Sequence, residues 1–279
     1  SNTCISGLMR MNIRLKNLLD SLPVLSPAAV KSILLEIAEE QYGKFSSSLL
    51  PGTQHIAGVR LPFLRTIAKH ITRSDWRSFL QESWALAYES HGTDVLFEEK
   101  MLHGMILGCV SKVDIDELFH YCSYHIKSID NWSLCDSFCS GLKTAKKSPA
   151  HADFVWNFLQ PYFVLPDIPS TEFQVRFALV MLLSSFLQEE NLEKIFDQIA
   201  KTTHSGYYVK MAKAWLLSMC YVHFPSLCRP LFISAQEGEI PLNLDEFTWK
   251  ETIQKIKESK RCTIEQRKEI SMFAKKGYL

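Results

Sequence analysis

Two tryptophans, a carboxylate and an arginine, Trp132, Asp136, Arg176 and Trp215, are the residues of this chain whose types best suit binding chemistry. In Asn131-Trp132-Ser133-Leu134-Cys135-Asp136 the indole and the carboxylate are four residues apart. A helix puts them on one face, where an aromatic surface and a negative charge can meet one ligand. That pairing suits a cationic, planar substrate. Ser140 and Lys143 continue the row four and seven residues beyond Asp136, and an aromatic, an acid, a hydroxyl and a base in one stripe do not make an apolar packing face. A second stripe, Tyr208, Met211, Trp215 and Ser218, mixes two large aromatics with a polar group, and by spacing alone it fits an ordinary buried stripe equally well.

The elements that must position these residues are helices. Apolar residues recur at helical spacing, as in Val30, Ile33, Leu34, Ile37 and in Leu179, Leu182, Leu183, Phe186, and clean period-two alternation is absent. Ser26-Pro27, Ser74-Asp75-Trp76 and Ser148-Pro149 each place a capping side chain before a helix. The pattern predicts helices near 10–20, 27–42, 62–71, 75–87, 94–109, 114–127, 131–145, 149–160, 171–187, 189–200, 206–221, 224–235, 244–258 and 264–275. Consecutive short helices joined by polar turns, with no long bundle-spanning helix, predict an all-α superhelix of stacked antiparallel pairs, a curved solenoid. Gly104 and Gly108, spaced by three residues, predict close helix packing.

Several other chemistries are excluded or disfavoured. There is no glycine-rich phosphate loop and no Gly-x-Ser-x-Gly elbow, so kinase, dehydrogenase and serine-hydrolase readings have no support. His120, Cys122, His125, Cys135 and Cys139 lie close in sequence but lack the Cys-x2-Cys frame of a zinc site, and they read as reduced core cysteines and surface histidines, with no metal and no cofactor. Eight cysteines in 279 residues are too dilute for a disulfide scaffold and fit a reducing cytoplasm. No apolar run approaches the roughly 20 residues that span a bilayer, and the N-terminal stretch, broken by Arg10, Arg14 and Lys16, does not read as a secretory signal.

At 47% hydrophobic and 22% charged residues the chain is expected to fold around a large core. Its net charge of +1 hides a polarity: residues 1–73 and 248–279 each carry nine basic and four acidic groups, whereas 74–140 carry four and eleven. A surface for a polyanion must therefore come from folding and not from bulk charge.

Five segments stand in order along the chain: Ile56-Ala57-Gly58-Val59-Arg60-Leu61-Pro62-Phe63-Leu64-Arg65-Thr66-Ile67-Ala68-Lys69, then Asn131-Trp132 with Asp136, then Phe173-Gln174-Val175-Arg176, then Tyr207-Tyr208-Val209-Lys210-Met211-Ala212-Lys213-Ala214-Trp215, and finally Ile253 to Ser259. Together they resemble the DNA alkylation repair family, the AlkD-like glycosylases built from HEAT-like repeats. The resemblance implies a single HEAT-like domain over 11–279 after an extension at 1–10, in which Ser1-Asn2-Thr3 reads as a non-native lead before a start at Met9 or Met11. It implies a monomer that binds duplex DNA without a membrane or cofactor and hydrolyses the N-glycosidic bond of cationic N3- or N7-alkylated purines. By position, Asp136 is similar to the catalytic carboxylate, Trp132 and Trp215 to the aromatic walls, and Arg176, with Lys143 and Tyr208, to the DNA-contacting residues. The competing expectation is a non-catalytic repeat module of the same family, binding protein or nucleic acid. It is motivated by the near-zero net charge and by Ser218, where base-excising members carry an arginine three residues after the second tryptophan.

Overall fold

The computed structural model describes residues 2–275, which form fifteen α-helices and no strand. In order these are α1 (Asn2–Ser21), α2 (Pro27–Ile37), α3 (Glu40–Leu49), α4 (Leu61–Thr72), α5 (Trp76–Glu89), α6 (Phe97–Cys109), α7 (Ile115–Ser128) and α8 (Trp132–Gly141). They continue with α9 (Pro149–Phe163), α10 (Glu172–Ser185), α11 (Leu192–Lys201), α12 (Tyr207–His223), α13 (Pro225–Gln236), α14 (Glu246–Glu258) and α15 (Ile264–Lys275). The expected caps are in place: Ser26, Asp75 and Ser148 accept hydrogen bonds from the amides of Ala29, Ser78 and His151.

Two compact units divide the chain, Ser1–Leu142 and Lys143–Leu279. A single repeat domain over 11–279 would run through both; Ser1 and residues 276–279 lie outside the described part, and residue 10 falls inside α1. Within the first unit α4 packs on α6 and α6 on α8, and within the second α10 packs on α12 and α12 on α14. Every second helix thus stacks on its like, and the intervening helices pack against this row, as α7 does on α6 and α13 on α12. This is the packing of an all-α helical-repeat fold. A helix in such a row is covered on several sides, and α10 is accordingly buried without interruption from Val175 to Leu182.

Small residues set the spacing of the row in the first unit. A Cβ on Gly108 would lie 3.0 Å from the carbonyl oxygen of Gly141 on α8, and one on Gly104 would lie 2.9 Å from His125 Nε2. The packing role expected for these two glycines is met.

Two predicted helices break where tertiary contacts intervene. The stretch 27–42 is interrupted at Ala38 and Glu39, whose backbones are extended, and α3 begins anew at Glu40. The loop before α4 presses into this gap: Glu39 donates its N–H to the Gly58 carbonyl at 2.9 Å, and Arg60 Nε bonds Glu39 Oε2 at 2.7 Å. Gly58 has φ +101°, and a Cβ there would fall 2.7 Å from Gly43 N. Only glycine fits. The same loop is held from the other side by Glu98, 1% exposed, whose carboxylate accepts the N–H groups of Ala57, Gly58 and Val59 at 3.1, 2.8 and 3.4 Å.

The second break corrects the row drawn from Trp132 to Lys143. Helix α8 stops at Gly141, Leu142 leaves helical geometry, and Lys143 sits exposed before a short 3-10 turn at Thr144–Lys146. Ser140 remains on α8, where its hydroxyl donates to the Ser137 carbonyl, but Lys143 does not continue the face. Glycine is a poor helix residue, and the next helix must start at Ser148-Pro149, so the chain turns between them.

The histidine and cysteine cluster also needs correction. Cys122, Cys135 and Cys139 are buried, as expected, and His120 is exposed, but His125 is buried. Its ring lies edge-on to Phe138 at 4.7 Å. Burial pushes His125 down to about 3 and the neighbouring His103 down to about 4, with Lys100 adding to both. No helix among the described residues is long and apolar enough to cross a membrane.

Two outcomes are expected from this packing. Glu98→Gln turns an amide donor toward backbone N–H groups and should lower stability by about 2–4 kcal/mol, read as a shifted urea midpoint with unchanged slope. His103 and His125 have folded pKa values below their unfolded ones, so the stability they provide is complete above about pH 6.5 and falls as pH drops toward 4. The loss should be on the order of 1 kcal/mol per pH unit for each histidine. Urea unfolding of His103→Leu should show a shallower loss between pH 7 and pH 5 than the unmodified protein, and equal slopes would contradict the burial argument.

Candidate functional site

Trp132 opens α8 directly after Asn131, whose buried side chain accepts the Leu134 N–H at 3.0 Å and caps the helix. Helical periodicity then sorts the side chains. Leu134, Cys135, Phe138 and Cys139 enter the core, while Trp132 and Asp136, one turn apart, remain half-buried. The Trp132 indole N–H donates to the carbonyl of Leu49 at 3.2 Å, so the last residue of α3 tethers the ring without covering it. The first unit therefore offers an aromatic face and a carboxylate side by side on one helix.

The second unit gathers Arg176, Tyr208 and Trp215. Tyr208 and Trp215 are two turns apart on α12, and Arg176 comes from the adjacent α10. Only 7% exposed, Arg176 donates from Nη1 to the Tyr208 carbonyl at 2.9 Å, and its guanidinium carbon lies 5.9 Å from the Tyr208 ring and 6.0 Å from the Trp215 ring. These distances are at the outer range of cation–π attraction. A buried guanidinium needs such partners, because an unpaired charge in low dielectric is costly. Arg176 thereby fixes the two aromatic residues relative to one another, a role that residue type alone did not indicate.

Of the rings gathered around Tyr208, sequence reasoning assigned no role to Phe173 and Tyr207. Phe173 lies 5.1 Å from the Tyr208 ring, and Tyr207 meets it edge-on, also at 5.1 Å. Phe173 stands three residues before Arg176, one helical turn, and that spacing was the available signal. Ser218, by contrast, is 3% exposed, and its hydroxyl donates back to the Trp215 carbonyl at 2.7 Å.

Two further buried polar groups support helix ends: His204 the starts of α10 and α12, and Lys213 the end of α11. His204, buried between the loops that precede these helices, accepts the Gly206 N–H at Nδ1, 3.0 Å away. Its other nitrogen, Nε2, lies 3.0 Å from both the Ile168 carbonyl and Thr171 Oγ1, and Asp167 Oδ1 is 3.4 Å from Nδ1. Thr171, His204 and Asp167 look like a nucleophile–base–acid chain, but the proton is on the wrong nitrogen. With Nδ1 accepting from an amide, Nε2 is protonated and donates, so it cannot take a proton from Thr171. This histidine is a clamp. Lys213, also buried, donates to the Thr202 carbonyl at 2.7 Å and satisfies the C-terminal end of α11, while burial pushes its ammonium pKa down.

Among the described residues no group of three or more His, Cys, Asp or Glu is placed to hold a metal ion. Each half of the predicted constellation is thus assembled within its own unit, Trp132 with Asp136 in the first and Arg176 with Tyr208 and Trp215 in the second, while exposed Lys143 stands at the start of the second.

Within the first unit a half-buried acid beside an indole can meet a cationic ring; within the second an arginine is held between two aromatic residues. Neither the curated proteins nor the solved structures contain a match to the chain. A family model described as DNA alkylation repair enzyme matches residues 30–239, a span that includes Trp132, Asp136, Arg176, Tyr208 and Trp215. The chain belongs to the DNA alkylation repair enzyme family.

Proposed function

We propose that the protein is a monofunctional DNA glycosylase that releases cationic N3- or N7-alkylated purines from duplex DNA. The observation that carries this reading is the Trp132–Asp136 pair: within a family tied to DNA alkylation repair, an acid and an indole one turn apart stay half-buried on a helix that sends Leu134, Cys135, Phe138 and Cys139 into the core.

Alkylation at a purine ring nitrogen places positive charge on the base and makes it a good leaving group. The C1′–N bond breaks with its electron pair going to the base, which departs neutral, and the deoxyribose becomes oxocarbenium-like. The Asp136 carboxylate stabilises that cation and orients a water molecule, which adds to C1′ and releases a proton. Trp132, beside Asp136, favours the charged lesion over normal nucleotides by cation–π attraction, at roughly 0.5–2 kcal/mol per contact, and the family resemblance assigns Trp215 the same role. Tyr208 and Lys143 contact the DNA beside it. Arg176, already anchored to the Tyr208 carbonyl, holds the backbone through a guanidinium whose direction is fixed in advance.

A second reading, a family member that binds without excising, is favoured by one observation. The hydroxyl of Ser218 is buried and turned back onto its own helix, so that position supplies no cation to a phosphate.

Incubation with duplex DNA carrying 7-methylguanine or 3-methyladenine should release free base well above the spontaneous rate, and Asp136→Asn should slow release by about 100-fold or more. Release no faster than spontaneous, or an unimpaired Asp136→Asn, would sink the glycosylase reading. Trp132→Ala and Trp215→Ala should each cost roughly 2- to 30-fold for cationic lesions. Duplex affinity measured against salt separates the two readings: robust base release with a steep salt dependence removes the binding module, and a shallow slope with no release supports it.

A further inference from the structure

The first unit contains an open cavity of about 480 Å³, bounded by α2, the C-terminal half of α5 and the start of α6, whose lining includes neither Trp132 nor Asp136. His103 borders it. This side chain is 4% exposed and makes no hydrogen bond to any described residue, yet it is not sealed away as Ser83 Oγ, Trp84 Nε1 and His125 Nδ1 are. Two aromatic rings flank it: Phe79 and Trp84 meet the imidazole edge-on at 6.4 and 6.1 Å. A buried polar ring without a protein partner that borders a cavity is a recognition group awaiting one.

The rest of the lining narrows the chemistry. Pro27, Leu86 and Val95 supply apolar walls. Lys31 is the one basic residue, facing three acids, Glu89, Asp94 and Glu99, and two of these already hold it, Asp94 Oδ1 at 3.0 Å and Glu99 Oε1 at 3.5 Å. Phosphates and carboxylates are repelled by that balance; neutral and cationic rings are not. The volume lies within the roughly 300–1,000 Å³ of small-molecule sites.

We propose that this cavity binds an uncharged or singly cationic heteroaromatic ring of nucleobase size, held by His103 and excluding phosphorylated forms of the same ring. Neutral imidazole offers a donor at one nitrogen and an acceptor at the other, and a ring such as adenine carries both types side by side, so either tautomer finds a partner. Burial keeps the imidazole neutral, pushed down to about 4. The site goes beyond base excision and does not depend on it.

Calorimetric titration of the full chain with adenine at neutral pH should show saturable binding, with AMP at least about tenfold weaker. His103→Leu should weaken adenine by about tenfold or more. Ala28→Trp should do the same by filling the cavity from an exposed position in the first turn of α2, and it tests the site even where the loss of His103 disturbs the core. No saturable adenine binding up to about 10 mM, AMP binding as tight as adenine, or adenine affinity unchanged in Ala28→Trp would each overturn the proposal. The last result would place the ring elsewhere, the excision site included.

Discussion

The carboxylate of Glu98, surrounded by three backbone amides, is the interaction on which the geometry of the first unit rests. A carboxylate almost entirely out of water is tolerable only when its lone pairs are met, and the amides of Ala57, Gly58 and Val59 meet them. In doing so they fix the loop before α4 against the start of α6. That loop in turn opens the chain at Ala38 and Glu39 and starts α3. Helix α3 ends at Leu49, whose carbonyl holds the indole of Trp132. A residue more than thirty positions away in sequence thus sets where the Trp132 ring stands.

The candidate site occupies the positions that packing leaves uncovered. On α8 the core takes Leu134, Cys135, Phe138 and Cys139, and the close approach of Gly108 to Gly141 leaves no room to rotate the helix. Trp132 and Asp136 stay half-buried as a consequence. On α10 the burial is so complete that Arg176 is drawn into it, and the arginine survives there because a carbonyl and two aromatic faces compensate its charge. The same residue type at the surface would be a free phosphate contact; here it is also a brace for Tyr208 and Trp215.

Buried polar groups elsewhere divide by whether the protein itself satisfies them. His204 and Lys213 are satisfied, one bonding at both ring nitrogens and the other capping a helix, and their chemistry is spent on structure. His103 is not satisfied by any described residue and borders open space. Near-complete burial alone does not separate these cases. The hydrogen-bond partners do.

The sequence by itself determined the helical class, the N-caps at Ser26, Asp75 and Ser148, the close packing at Gly104 and Gly108, and the family, because each is written in local spacing or in the order of short motifs. It also put Trp132 and Asp136 on one face, since four residues make a turn of any helix. Only the tertiary structure decided where helices stop. Periodicity continues through Ala38 and past Gly141, but a loop wedged at Gly58 and a turn toward Ser148-Pro149 interrupt it, and Lys143 is lost from the row. Burial of His125, the bracing role of Arg176 and the inward turn of Ser218 were likewise beyond the sequence, because they depend on which neighbouring helix covers which side, and that is fixed by contacts between residues far apart in the chain.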